Sequence, residues 1–101
     1  MMIPKGRKPS GPGVFIKEFI LDGRKMTQGQ LAEALHVTRE TVSRIVNEHS
    51  SVTAVMALKL AKLTGTTPEL WLNAQRSVDL WKAQKDHAEE IEELAPLQDA
   101  V

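Results

Sequence analysis

A chain of 101 residues with 13 basic and 13 acidic side chains carries no net formal charge and is long enough for one small domain. It contains no cysteine, which excludes disulfide frameworks, thiolate zinc sites and cysteine nucleophiles. A hydrophobic content of 42% supports one core, and with 4% aromatics that core must be filled mostly by aliphatic side chains.

The charge is unevenly spread. Residues 1–50 hold Lys5, Arg7, Lys8, Lys17, Arg24, Lys25, Arg39 and Arg44 against Glu18, Asp22, Glu33, Glu40 and Glu48, so the first half is basic and the second half equally acidic. Such a split permits one face to meet an anion while the other repels it. No stretch approaches the roughly 18 apolar residues of a membrane span, and no signal-peptide-like apolar region follows the charged start. The expectation is a cytoplasmic chain without a membrane partner.

Residues 1–12, with Pro4, Gly6, Pro9, Gly11 and Pro12 among Lys5, Arg7 and Lys8, read as a flexible basic arm. Phe15, Ile16, Phe19 and Ile20 recur at i, i+1, i+4 and i+5, which is helix spacing, and this first helix should stop near Asp22 and Gly23. Thr27 is a good N-cap, with Gln30 placed to complete a capping box, and Leu31, Ala32 and Leu35 form the buried face behind it. After a break at His36 and Val37, Thr38 caps a short helix whose inward residues are Val42 and Ile45. Thr53 caps a fourth helix carrying Val55, Met56, Leu58, Leu60, Ala61 and Leu63, with Gly65 as its stop.

Thr67, Pro68 and Glu69 repeat the start signal, and Trp71, Ala74, Val78 and Trp81 then form one apolar stripe. No breaker follows before Pro96, so a fifth helix is expected to outrun the core. Its acidic end, Asp86 to Glu93, is unfavourable near a helix C-terminus and should fray. The chain therefore divides into an arm over 1–12, a helical domain over 13–85 and an acidic extension over 86–101.

Two short capped helices joined by a tight turn, Thr27 to Asn47 (TQGQLAEALHVTRETVSRIVN), have helix-turn-helix spacing. Anchoring the second helix by Val37, Val42 and Ile45 leaves Arg39, Glu40, Ser43 and Arg44 outward, with Thr38 and Thr41 near its start. A major groove admits one such helix: arginine can grip a guanine edge or a phosphate, glutamate can accept from cytosine, and a threonine methyl can pack on thymine. Gln28 can present its amide and backbone N–H to a phosphate at the start of its helix, and Thr27 and Asn47 are read as further phosphate contacts.

This stretch resembles the lambda-repressor/Cro-like helix-turn-helix family, and the chain is similar to HigA-type antitoxins, the group also called virulence-associated protein I. Besides the helix-turn-helix, the matching segments are GPGVFIKEFI (Gly11 to Ile20) and TTPELWLNAQ (Thr66 to Gln75), the more specific of the two, and the likeness runs from about Pro9 to Lys85. The resemblance implies an all-α, five-helix, lambda-repressor-like bundle with an extended C-terminal helix. It further implies a dimer that binds operator DNA, represses its own operon and neutralises a HigB-type toxin, an mRNA endonuclease. Base contacts carry over to Arg39, Glu40, Ser43 and Arg44, and a phosphate contact to Gln28. The chain departs from the pattern at His36, where glycine is usual, and at Gly29, inside a helix.

Trp71 should be core, whereas the stripe onward through Val78 and Trp81 is a candidate dimer or partner surface. His36, His49 and His87 lack ligand spacing, so no metal is expected, and neither a phosphate loop nor a catalytic constellation points to a cofactor or an enzyme. The acidic extension would suit a basic, RNA-binding toxin. Two other readings compete: a stand-alone repressor without a toxin, and a protein-interaction module that has lost DNA binding.

Overall fold

The computed structural model describes residues 7–98, and these fold entirely into helices and connecting turns. Helix α1 opens as Pro12–Phe15 and continues as a π-helical stretch, Ile16–Asp22. Then come α2 (Gln28–Leu35), α3 (Arg39–Val46), α4 (Ala54–Thr64), α5 (Pro68–Asp86) and α6 (Ala88–Glu92). No helix among them is long and apolar enough to cross a membrane.

The threonine caps all form. Thr27, Thr38, Thr53 and Thr67 have extended backbones, and each side chain accepts the N–H three residues on. Gln30 returns the bond to the Thr27 N–H at 2.9 Å, which closes the capping box. Gly65 ends α4 in the left-handed region at φ 74°, where no side chain pays a steric cost.

The core is one cluster in which Leu31, Ala57 and Leu60 are wholly buried and Ile16, Ile20, Val42, Ile45 and Trp71 nearly so. Within α4, Met56, Ala57, Leu60 and Ala61 make the inner face, whereas Val55 and Leu58 are 62% and 59% exposed. Apolar composition does not separate these two from the inner face, but their side of the helix is left exposed beside the end of α2. Phe19 is likewise exposed and stacks on Phe15 with ring centroids 5.8 Å apart.

Regular structure starts earlier than composition suggests. Gly11 caps α1, Pro12 occupies its first turn, and Gly11, Pro12 and Gly13 are all buried. A Cβ on Gly13 would lie 2.6 Å from the Ile45 carbonyl oxygen and 2.7 Å from that of Val46, so the start of α1 rests directly on the last turn of α3. Ahead of it, Lys8 is held by Glu48, which its ammonium meets at 2.6 Å; Lys5 lies outside the described residues.

The TTPELWLNAQ segment is a corner. Thr66 accepts the Trp71 indole N–H at 2.9 Å, Thr67 caps α5, and Gln75 accepts the Val52 N–H at 2.9 Å from the loop ahead of α4. One helix thereby fixes both ends of its neighbour. Beyond Val78 no residue of α5 is buried, and the helix stops at Asp86 instead of running on towards Pro96. His87, at φ −122° and ψ 21°, breaks it, and its Nδ1 lies 2.7 Å from the Glu90 carboxylate at the head of α6. Glu89 and Glu90 thus open a new helix, where the dipole favours them, although Asp86 still ends α5 and Glu92 ends α6.

Gly13→Ala should destabilise the protein by about 1–3 kcal/mol, because the new methyl meets backbone that cannot step aside. Gly29→Ala should stabilise it by roughly 0.5–1 kcal/mol, since its Cβ would meet only Thr27 Oγ1 at 3.9 Å. Urea denaturation of the two variants at one protein concentration checks both signs.

Candidate nucleic-acid interface

Placement of α3 begins at the turn before it. His36 ends α2 in the left-handed region, φ 59° and ψ 44°, and the Val37 N–H closes on the Ala32 carbonyl at 2.9 Å. The unusual residue at the usual glycine position is therefore forced into the glycine conformation. Val37 then packs on the core, and Thr38 starts α3.

Val42 and Ile45 are the buried residues of α3, which turns Arg39, Glu40, Ser43 and Arg44 to the other side at i, i+1, i+4 and i+5. The structure places these four on one face of α3. Arg44 Nη1 lies 3.3 Å from Glu40 Oε1, and its Nε donates to Ser50 Oγ at 3.4 Å. Among the described residues Arg39 makes no ion pair or hydrogen bond through its side chain and is exposed.

The threonines have a second duty. Thr38 Oγ1 accepts the Thr41 N–H at 3.1 Å and shares a hydrogen bond with the Thr41 hydroxyl at 2.8 Å, so both hydroxyls serve the cap. Asn47 Nδ2 donates to Ser43 Oγ at 3.3 Å, linking a predicted phosphate contact to a predicted base contact. Thr27 is committed to the capping box, and Gln28 follows it at the first position of α2, where the backbone N–H has no partner within the helix.

Two participants escape sequence reasoning. Ser50 steadies Arg44 from the loop after α3, and Glu48, at φ 62°, holds Lys8 next to the end of that helix. Ser50 bore no motif. The cue for Glu48 was its place just after a helix ending, where a left-handed residue is common.

Trp71, expected as core, and Val78, expected with Trp81 on a partner surface, are 2% and 4% exposed. The helix geometry spends them inside the bundle against α1, α4 and the loop, so only Trp81 of that set keeps accessible surface. There Lys85 lies over the indole, 5.1 Å from the ring centroid.

Comparison with known proteins now gives the arrangement a family. The helix-turn-helix family profile matches residues 16–71. Antitoxin HigA-1 of Vibrio cholerae is 42% identical over 91 residues, spanning 90% of this chain and 86% of that protein. The chain belongs to the HigA-type antitoxins. Among solved structures, the HigA antitoxin of Pseudomonas aeruginosa with the higBA promoter superposes with a TM-score of 0.84 at 31% identity, covering 89% of this chain and 99% of that one. Antitoxin GraA in complex with its operator gives 0.83 at 36% identity, covering 95% and 98%. This HigA-type chain differs from its family's usual pattern at the turn, yet keeps the backbone that the turn requires.

His36→Val should cost about 1–2 kcal/mol of stability, since a β-branched side chain resists a left-handed backbone, whereas His36→Gly should cost nothing. Thermal melts of the two variants beside the parent check the contrast.

Proposed function

We propose that this HigA-type protein binds operator DNA as a homodimer through α3, represses its own operon, and neutralises a HigB-type mRNA endonuclease encoded beside it. The observation that carries the reading is the outward face of α3, where Arg39, Glu40, Ser43 and Arg44 stand clear of the core in a fold shared with a HigA bound to its promoter and a GraA bound to its operator.

Energetics favour readout. The Glu40–Arg44 pair is exposed, and such an i, i+4 pair is worth roughly 0.3–0.5 kcal/mol. A bidentate arginine on guanine contributes about 1–3 kcal/mol of discrimination, so exchange of partners on DNA is downhill. Once parted, Glu40 can accept from a cytosine amino group while Arg44 takes the neighbouring guanine. Arg39 needs no such release. Thr38 and Thr41 offer their methyl groups while their hydroxyls hold the helix start, and Thr27, Gln28 and Asn47 flank the groove with polar groups for phosphate. A two-fold dimer sets its recognition helices about 34 Å apart, one turn of DNA, and doubles the contacts.

Fluorescence-anisotropy titration on the DNA upstream of its own operon, against shuffled DNA at low and physiological salt, tests the reading. Affinity should fall with salt on both DNAs while the preference for the upstream sequence persists. Arg44→Ala should weaken specific binding by about 1–3 kcal/mol and leave shuffled-DNA binding much less affected. Equal affinity for both DNAs at either salt would refute operator recognition. For the toxin, growth arrest by the neighbouring HigB-like gene should be relieved by co-expressing this chain, and arrest that persists would remove the antitoxin role.

A further inference from the structure

Two exposed apolar features play no part in the proposed DNA face. The first is an open groove of about 450 Å³ between the end of α2 and the outer side of α4, floored by Leu35, Val55, Leu58 and Leu63 and edged by Lys59 and Lys62. Its floor is the side of α4 that the core leaves unused. The residues of α3 that point outward do not line it, so bound DNA would leave it open.

The second is the end of the chain. Ile91, Leu94 and Leu97 are 51%, 74% and 80% exposed, with Glu89 and Glu90 just ahead of Ile91 and Glu93 between Ile91 and Leu94. Helix α6 has five residues and none is buried, far short of the length at which a helix holds itself together in water. It is carried on the part of α5 that runs past Val78, beyond the bundle, and the molecule is accordingly 54 Å long and 24 by 21 Å across. An apolar groove with a cationic edge and a projecting apolar segment with anionic flanks are complementary in both respects.

We infer that α6 and the residues after it dock in the α2–α4 groove of a second copy of this chain, with Ile91 and Leu94 on Val55 and Leu58 and with Glu89 and Glu93 facing Lys59 and Lys62. Two-fold symmetry makes the exchange reciprocal, so each copy both gives and receives a tail. The inference rests on the homodimer reading above and names its interface. It leaves the α3 faces of both copies open, and it covers a helix none of whose side chains is buried among the described residues.

Sedimentation equilibrium on the full chain supplies the first test. Reversing the groove edge with Lys59→Glu and Lys62→Glu should raise the dimer dissociation constant at least tenfold, as should Ile91→Ser with Leu94→Ser. Adding Glu89→Lys and Glu93→Lys to the reversed groove should bring the dimer back. All these side chains lie on the surface or partly so, and unchanged far-UV circular dichroism confirms that the variants fold.

The absence of native cysteine permits a direct check. Chains carrying Leu58→Cys mixed with chains carrying Leu94→Cys should form disulfide-linked dimers under oxidation, well above either variant alone. A wild-type dimer whose association ignores these substitutions, or whose mixed cysteines do not join, overturns the tail exchange and leaves the homodimer standing. A wild-type chain that sediments as a monomer throughout overturns the homodimer and the exchange together.

Discussion

An eight-residue helix does not persist in water by itself, and the whole molecule is organised around supporting one. Helix α3 has two buried side chains, Val42 and Ile45, to hold it. The rest of its support comes from outside: the Thr38 cap at its start, Val37 in the turn ahead, and the N-terminus of α1 resting on its final carbonyls. That last contact depends on the absence of a side chain at Gly13, since a single methyl group would separate the two backbones.

The support continues outward in a second tier. Gln75 on α5 receives the Val52 N–H, which fixes the loop leaving α3. Trp71 fills the centre of the bundle, and its indole N–H is satisfied by Thr66, so a large side chain with a polar atom is buried without penalty. The TTPELWLNAQ segment therefore works as a unit: cap, helix start, core anchor and loop latch within ten residues. The proposed reading side chains, Arg39 and the Glu40–Arg44 pair, are only weakly engaged and sit on a base that is strongly engaged. The division suits the proposed readout, because such groups can change partners while their positions stay set.

Exposed apolar surface in this chain falls where the second tier ends. Val55 and Leu58 lie outside the core because α4 is covered on one side only, and α6 stands off because α5 outruns its neighbours. Both follow from one cause, a five-helix core too small to cover two of its own helices on every side. The proposed second copy would cover both, and two-fold symmetry would let one contact be made twice.

The amino-acid sequence alone determined the threonine-capped starts of α2, α3, α4 and α5, the HigA-type likeness and the candidate reading face, because these are local matters. A threonine three residues before a free N–H, a proline in a first turn and arginines opposite Val42 and Ile45 declare themselves over one or two turns of chain. The tertiary structure decided what depends on distant partners. It placed Gly13 on the end of α3, joined the Thr41 hydroxyl to the Thr38 cap, gave Ser50 to Arg44, and drew Val78 inward while leaving Val55 and Leu58 outside. It also broke the last helix at His87, so that Glu89 and Glu90, read as part of a fraying end, stand at the start of another helix, where the dipole favours them. Helical periodicity reports that a side chain lies on a face, but which face is covered depends on how much neighbouring chain arrives to cover it.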